Sequence, residues 1–194
     1  HSIRTSLKSK LINRVFVSTD SKKYQKLSIR YGAEVPFLRP KSISKNNSTD
    51  LEWAKHFVKY LEKSENYFPD LIVHVRPTSP NRNVKIFDKG IKYFLNNISK
   101  ANGMRSVSKM NQPPQKMFML KKNFLIGYFE KKLKGEYYNL PRQSFPQCYM
   151  PNGYIDIIKT SYFMKKNSLM GKRILGFITP NILDIDTMED FKLD

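Results

Sequence analysis

The sequence is poor in several features, and each shortage excludes a class of protein. It contains one cysteine, Cys148, so an internal disulfide is impossible and a reducing compartment, the cytoplasm, is the expected location. No apolar run approaches the roughly 18 residues that span a bilayer, so no membrane segment is expected. The glycine-rich motifs GxxxxGK(S/T) and GxGxxG are absent, and no set of histidines and cysteines has the spacing of a metal site.

Acidic residues are also scarce. The 194 residues include 16 aspartates and glutamates against 35 lysines and arginines, which gives a formal net charge of +19. This balance favours anionic partners, and nucleic acid, a nucleotide or an acidic sugar would each fit. Because the lysines are spread along the chain, we expect no nucleic-acid partner. Interspersed aromatics such as Tyr137 and Tyr138 keep a nucleic-acid-binding module as an alternative.

Apolar runs alternate along the chain with segments of helical periodicity. Buried strands are predicted at 14–20 (RVFVSTD) and 71–75 (LIVHV), and helices at 1–12, 21–32, 48–63 and 84–98. Apolar strands separated by helices are typical of a mostly parallel sheet with helices on both faces. The sequence therefore predicts an α/β fold.

Helical spacing also predicts which side chains of two helices face the core. They are Ala54, Phe57, Val58 and Leu61 in one helix, and Phe87, Ile91, Phe94, Leu95 and Ile98 in the other. The segment 104–158 has a different character, because short strand-like runs there predict a β-rich flap or edge. Further strands are predicted at 154–158 and 174–179. We expect residues 1–194 to form one domain that includes this β-rich element.

Three polar clusters follow predicted strands, at 18–20, 76–82 and 184–187. Ligands of open α/β sheets bind at the carboxyl ends of the strands, so these clusters are the candidate site. In the last one, DIDT, an extended backbone would place Asp184 and Asp186 on the same side, as a hard cation such as Mg²⁺ requires. The alternative is local, because Thr187 and Asp190 form a T-x-x-D capping box, but that box leaves Asp184 unexplained.

The cluster RPTSPNR (76–82) combines two prolines with polar side chains directly after a strand. Thr78 and Ser79 offer hydroxyls, while Arg76 and Arg82 offer forked donors for phosphate or carboxylate. A rigid connector with solvated arginines is the alternative. Farther on, the stretch 141–157 carries four polar candidates or, alternatively, forms a surface hairpin. The four are Arg142, Gln143, Tyr149 and Asn152.

Five segments in order resemble the acylneuraminate cytidylyltransferase family, and the resemblance covers nearly the whole chain. The segments are SKLINRVFVSTD, YGAEVPFLRP, LIVHVRPTSPNR, PRQSFPQCYMPNGYIDI and ILDIDTMEDF. The resemblance implies a Rossmann-like nucleotide-diphospho-sugar transferase fold with a small β-rich dimerisation element, here about 104–158, and therefore a homodimer. It also implies Mg²⁺-dependent transfer of CMP from CTP to a nine-carbon sugar acid, with release of pyrophosphate, for glycan biosynthesis.

The resemblance also assigns roles to individual residues. Asp184 and Asp186 are the implied catalytic pair that holds Mg²⁺. The implied nucleotide contacts are Arg39, Ser48, Arg76, Thr78 and Ser79. The implied contacts to the sugar acid are Lys116, Arg142, Gln143, Tyr149 and Asn152.

Two departures from the family pattern bear on these expectations. The family begins with a strand and a phosphate loop of the type LIPARGGSKxxxxKN, which this sequence lacks, so we expect it to miss about one βα unit and to be inactive alone. Arg76 stands where the family usually has glutamine, and Met150 where it often has arginine. GTP as donor and legionaminic or pseudaminic acid as acceptor therefore stay open, as does an inactive remnant.

Overall fold

The chain is built around a four-stranded sheet in the computed structural model, which describes residues 1–182, 184–185 and 187–193. The helices are α1 (Ser2–Lys8), α2 (Lys22–Arg30), α3 (Asp50–Glu65), α4 (Val84–Leu95), α5 (Thr160–Lys166) and α6 (Met188–Leu193). The strands are β1 (Leu71–His74), β2 (Gly103–Lys109), β3 (Phe118–Lys121), β4 (Phe124–Gly127), β5 (Tyr149–Lys159) and β6 (Ile174–Ile178). In this described part, no helix has the length and apolar character needed to cross a bilayer.

The strand order of the sheet is β1-β5-β2-β6. β5 pairs antiparallel with both β1 and β2, and β6 pairs parallel with β2. Three strands therefore point the same way, and β5 runs against them. The predicted α/β class is confirmed, although the sheet is mixed because β5 lies between β1 and β2.

The core has two layers, one on each face of the sheet. Neighbouring residues of β5 point to opposite faces. Ile157 packs in one layer with Phe87 and Phe94 of α4, and Ile158 packs in the other with Phe57 of α3. Each fully buried side chain of this kind contributes about 1.5–3 kcal/mol. Helices therefore cover both faces, as predicted.

Local signals set the ends of the two core helices. α3 begins after Thr49, which forms a reciprocal capping box with Glu52. α4 begins after Asn83, whose side chain accepts a hydrogen bond from the N–H of Lys85 at 2.8 Å. The predicted inward residues are buried or packed against the core except Leu95, which is exposed because α4 ends there.

The strand predicted at 14–20 is wrong. Phe16 forms an isolated parallel bridge with Glu34, and the segment lies outside the four-stranded sheet. Arg14 beside it makes ion pairs with Glu34 and Glu65, at 2.5 and 2.6 Å. The β-branched residues of the segment 14–20 favour an extended backbone. A strand also needs a neighbouring strand that pairs with it along its length, and none is found among the described residues.

β3 and β4 form a separate hairpin, called the arm here (118–127). Its base rests on two tyrosines: the ring centroids of Phe118 and Tyr138 are 4.8 Å apart, and the Tyr137 hydroxyl accepts a hydrogen bond from the N–H of Phe129 at 2.9 Å. The rest of the hairpin is largely exposed, so the arm stands apart from the two core layers.

Candidate functional site

Arg82 organises the turn that follows β1. Its buried guanidinium donates to the carbonyl oxygens of Arg76, Gly153 and Tyr154 at 2.7–2.8 Å, and also to the carbonyl of Ser79. Burial lowers the pKa of Arg82 to about 10, so it remains charged at neutral pH. Its donors are used inside the protein, and Arg82 therefore shapes the turn instead of facing a ligand.

The turn also contacts the segment around Asp184, more than 100 positions along the chain. The fully buried Ser79 donates its hydroxyl to Oδ1 of Asp184 at 3.3 Å. The N–H of Ile185 donates to the carbonyl of Thr78 at 2.7 Å. Two of the three predicted clusters therefore meet at one edge of the sheet. Asp186, the second predicted metal ligand, lies outside the described residues.

The local explanation of the last cluster also holds. The side chain of Asp190 accepts hydrogen bonds from the N–H and the hydroxyl of Thr187, both at 2.8 Å. This capping box begins α6, as predicted. Asp184 has no part in the box, and its exposed carboxylate is oriented by Ser79.

Arg76 is held by a carboxylate from α3. Its Nη2 lies 3.0 Å from Oδ2 of Asp50, and Oδ1 of Asp50 accepts a hydrogen bond from Trp53 at 3.0 Å. Partial burial acts to raise the pKa of Asp50, but the Trp53 hydrogen bond and the Arg76 charge outweigh it and lower that pKa. The guanidinium is half exposed, so its remaining donors can face a ligand.

Arg39 and Ser48 lie in the loop that leads into α3. Nε of Arg39 donates to the hydroxyl of Ser44 at 3.0 Å, and the hydroxyl of Ser48 accepts from the N–H of Lys45 at 3.0 Å. Both residues thus stabilise local turns. Ser48 precedes Asp50 by two positions, and the Asp50–Arg76 pair brings this loop to the strand-end turn.

The predicted sugar contacts fall into two groups. Asn152 is buried, and its amide donates to the Thr179 hydroxyl at 2.7 Å, which ties β5 to the end of β6. The other four lie around the arm and the start of β5, where Arg142 makes one 3.4 Å hydrogen bond to the carbonyl of Asn111. The four are Lys116, Arg142, Gln143 and Tyr149.

The sequence reading missed the role of Gly153. Its φ of +66° is rarely adopted by other residues, and a Cβ there would lie 2.9 Å from the Ser79 hydroxyl and 3.3 Å from Cδ of Arg76. From the sequence, the Asn152-Gly153 pair indicates only a turn. In the structure, the glycine lets the strand-end turn lie directly against β5.

The donor type at Asp184 fits a hard cation. An exposed carboxylate oxygen is the type of ligand that Mg²⁺ prefers. No group of three or more histidine, cysteine, aspartate or glutamate side chains that could hold a metal occurs in the described part of the chain.

Comparison with known proteins identifies the family. The fold and its polar strand-end turn define a Rossmann-like α/β domain of the nucleotide-binding kind. The chain belongs to the cytidylyltransferase family, whose sequence model matches residues 1–173. The expected family resemblance is therefore confirmed.

Two relatives illustrate the similarity in sequence. The N-acylneuraminate cytidylyltransferase of Escherichia coli is 27% identical over 195 residues, covering 100% of this chain and 44% of that protein. The pseudaminic acid cytidylyltransferase of Campylobacter jejuni is 23% identical over 194 residues, covering 99% of this chain and 81% of that protein. The chain thus spans less than half the length of the first relative.

Solved structures support the fold. CMP:2-keto-3-deoxy-manno-octonic acid synthetase in complex with CTP gives a TM-score of 0.64 at 9% identity, over 98% of this chain and 83% of that one. A cytidylyltransferase from Leptospira borgpetersenii gives 0.54 at 16% identity, over 98% and 70%. The predicted Rossmann-like transferase fold is therefore confirmed.

Proposed function

We propose that the chain activates a nonulosonic acid by transferring CMP from CTP. The observation that carries the proposal is the contact between Ser79 and Asp184, which joins two polar clusters at the strand ends of a cytidylyltransferase-family fold. A hydroxyl oxygen of the sugar acid attacks the α-phosphorus of CTP. The bond from that phosphorus to the pyrophosphate oxygen breaks, pyrophosphate leaves, and the hydroxyl proton is lost to solvent.

In this proposal the chain binds and orients the nucleotide and helps to neutralise the charge on its phosphates. Arg76 and Thr78 hold the nucleotide, with Arg39 and Ser48 on the adjoining loop. Asp184 and Asp186 hold Mg²⁺, which when bound stabilises charge on the phosphate oxygens. The oriented carboxylate of Asp184 supports this assignment.

The base and the sugar follow from separate features. The match to the cytidylyltransferase family supports CTP as the proposed donor. Arg76 only donates hydrogen bonds, and it would fit the adjacent acceptors O2 and N3 of cytosine. Guanine also presents adjacent acceptors, which makes GTP the alternative. The relatives act on N-acylneuraminate and pseudaminic acid, and we propose a sugar acid of this class, with Lys116, Arg142, Gln143, Tyr149 and Asn152 near it.

A homodimer through the arm is part of the proposal. Leu120, Phe124 and Leu125 are 65–74% exposed, a large apolar surface for so short a hairpin. Such patches mark interaction sites, and a second copy of the arm would cover this surface.

The cytoplasm is the proposed location, because the single cysteine is free and nucleoside triphosphates are the donors.

Pyrophosphate release tests the proposal. The chain is incubated with Mg²⁺, CTP or GTP, and each sugar acid in turn. It is assayed both alone and with an added N-terminal segment that carries the phosphate loop LIPARGGSKxxxxKN, because the chain alone is expected to be inactive. Asp184→Asn should lower the rate by roughly 100-fold or more, since it removes charge stabilisation at the reacting phosphate. Asp70→Asn, an exposed acid elsewhere, is the matched control. Silence with every pair of substrates would contradict the proposal and favour an inactive remnant.

A further inference from the structure

One row of residues, paired in register across the four strands, carries polar and charged side chains in an otherwise apolar part of the sheet. His74 of β1 is paired in register with Asp156 of β5, Asp156 with Arg105 of β2, and Arg105 with Gly176 of β6. Side chains paired in register point to the same face. Charged side chains are rarely placed in the middle of a sheet, because apolar residues of similar size would often be as stable or more so.

This row lies on the face that α3 covers only in part. Ile72 and Ile158, two residues away from His74 and Asp156, pack against α3. Farther along the row, Ile174 and Ile178 of β6 are 45% and 56% exposed. Among the described residues, a Cβ on Gly176 would meet only a Val107 methyl, at 4.0 Å. The row therefore runs from under α3 to the edge strand β6, where Gly176 has no side chain and its neighbours Ile174 and Ile178 are exposed.

Arg105 stands at the border of the covered and open parts. Its Nε lies 3.2 Å from Oδ2 of the buried Asp156, and the other oxygen, Oδ1, is buried without a hydrogen-bond partner. The side chain of Arg105 is 34% exposed, and in the described part of the chain its two Nη groups have no hydrogen-bond partner. The carboxylate of Asp156 thus fixes Nε of Arg105 and leaves its two Nη groups available to a ligand.

Arg76 is also held by a carboxylate, but at a different atom. It follows His74 by two positions, and Asp50 contacts its Nη2, whereas Asp156 contacts Nε of Arg105. Burial raises the pKa of Asp156, and the nearby charges of Arg105 and Arg76 both oppose that rise. Two anchored, partly exposed guanidinium groups therefore share one face of the sheet, near the edge where Ser79 meets Asp184.

We propose that Arg105 binds the carboxylate of the sugar acid on the exposed side of the row, beside Gly176, with Asp156 as its positioning residue. The inference rests on the proposed function, whose acceptor carries that carboxylate. A guanidinium fork matches a carboxylate with two parallel hydrogen bonds. Arg76 is then left for the nucleotide, and the missing side chain at position 176 makes room for the sugar ring.

The experiment compares each sugar acid with its uncharged carboxamide. Binding to the full chain is measured by calorimetry with CMP present. The probes are N-acetylneuraminic acid, pseudaminic acid, N,N'-diacetyllegionaminic acid and 2-keto-3-deoxy-manno-octonic acid. The wild type should prefer one carboxylate over its amide by roughly 10- to 100-fold, the value of hydrogen bonds to a charged group. Arg105→Met should abolish that preference, and Arg30→Met, an exposed control, should keep it.

A double variant separates binding from packing. Arg105→Met with Asp156→Leu replaces the pair by apolar side chains, so its melting temperature should recover relative to Arg105→Met alone. The carboxylate preference should stay lost. A double variant, or an Arg105→Met single variant, with wild-type preference would overturn the inference and leave the proposed function standing. A wild type that binds CMP but none of the acids would overturn both.

Discussion

The turn at 76–82 and the arm at 118–127 are both short connections of polar and apolar residues, yet they are stabilised in opposite ways. The turn is tied to β5, α1 and the segment around Asp184 by the buried Arg82 and Ser79. The arm has its own ladder and two tyrosines at its base. The difference teaches that the chain fixes its candidate site by internal contacts, whereas the apolar surface of its arm stays exposed.

Of these variants, the one that removes Arg82 from the turn should lose the most stability. Arg82→Met removes a charged donor from several buried or partly buried carbonyl oxygens. Each loss is worth about 1–3 kcal/mol, so the free energy of unfolding should fall by more than about 3 kcal/mol. Arg142→Met, at an exposed arginine near the arm, should change it by less than about 0.5 kcal/mol. Urea unfolding of both variants measures the two effects, and equal losses would contradict the distinction.

Acid should weaken the turn side of the molecule through His74. Burial beneath Trp53 lowers the pKa of His74 from 6.5 to about 4, so the folded state binds fewer protons than the unfolded state between these values. Stability should therefore fall as the pH drops from 6.5 to 4, by about 3 kcal/mol from this group. His74→Phe should flatten that part of the profile. If stability in His74→Phe fell with pH as steeply as in the wild type, the loss could not be assigned to His74.

A side chain at position 153 should disturb the site more than the fold. In Gly153→Ala the new Cβ meets the Ser79 hydroxyl, and the backbone has a positive φ, which together should cost about 1–3 kcal/mol. Nucleotide binding should weaken with it, because Arg76 and Ser79 must shift. Gly135→Ala, at a positive φ with open space around it, is the control for the backbone effect alone. Equal results for the two glycines would show that the contact has no role.

The smallest effect on stability is expected from the arm. Leu120→Glu with Phe124→Glu should leave the urea midpoint at low protein concentration within the error of about 0.5 kcal/mol, because both side chains are exposed. The same change should convert a dimer into a monomer in analytical ultracentrifugation. Tyr137→Phe at the buried base is the contrasting variant, expected to alter stability but not assembly.

Much of the fold was predictable from local patterns. The spacing of apolar residues in α3 and α4 is a property of short segments, and the core faces predicted from it are confirmed except at Leu95. The caps at Thr49 and Asn83 are local signals of the same kind. The direction of β5 was not predictable, because strand order depends on contacts between distant segments. The strand at 14–20 failed for the same reason: extended propensity does not supply a neighbour.

The candidate site was predictable only in outline. The clusters at 76–82 and 184–187 were found because polar residues follow strands, and the structure brings them together. The sequence does not reveal the pairs Asp50–Arg76 and Asp156–Arg105, because Asp50 lies at a helix start and Asp156 within an apolar run. The roles of the two acids, of the nucleotide contacts and of the sugar contacts all stay predictions.

The reversed direction of β5 has a consequence for folding. Its first residues, and not its last, lie beside the turn that follows β1, so the contact of Arg76 with Gly153 closes a loop of more than 70 residues. Contacts of such high sequence separation form late, because the loop entropy must be overcome first. The turn at 76–82 therefore reaches its final position against β5 only once the sheet is complete. Ligand binding by this chain should report the fully folded population and no partly folded intermediate.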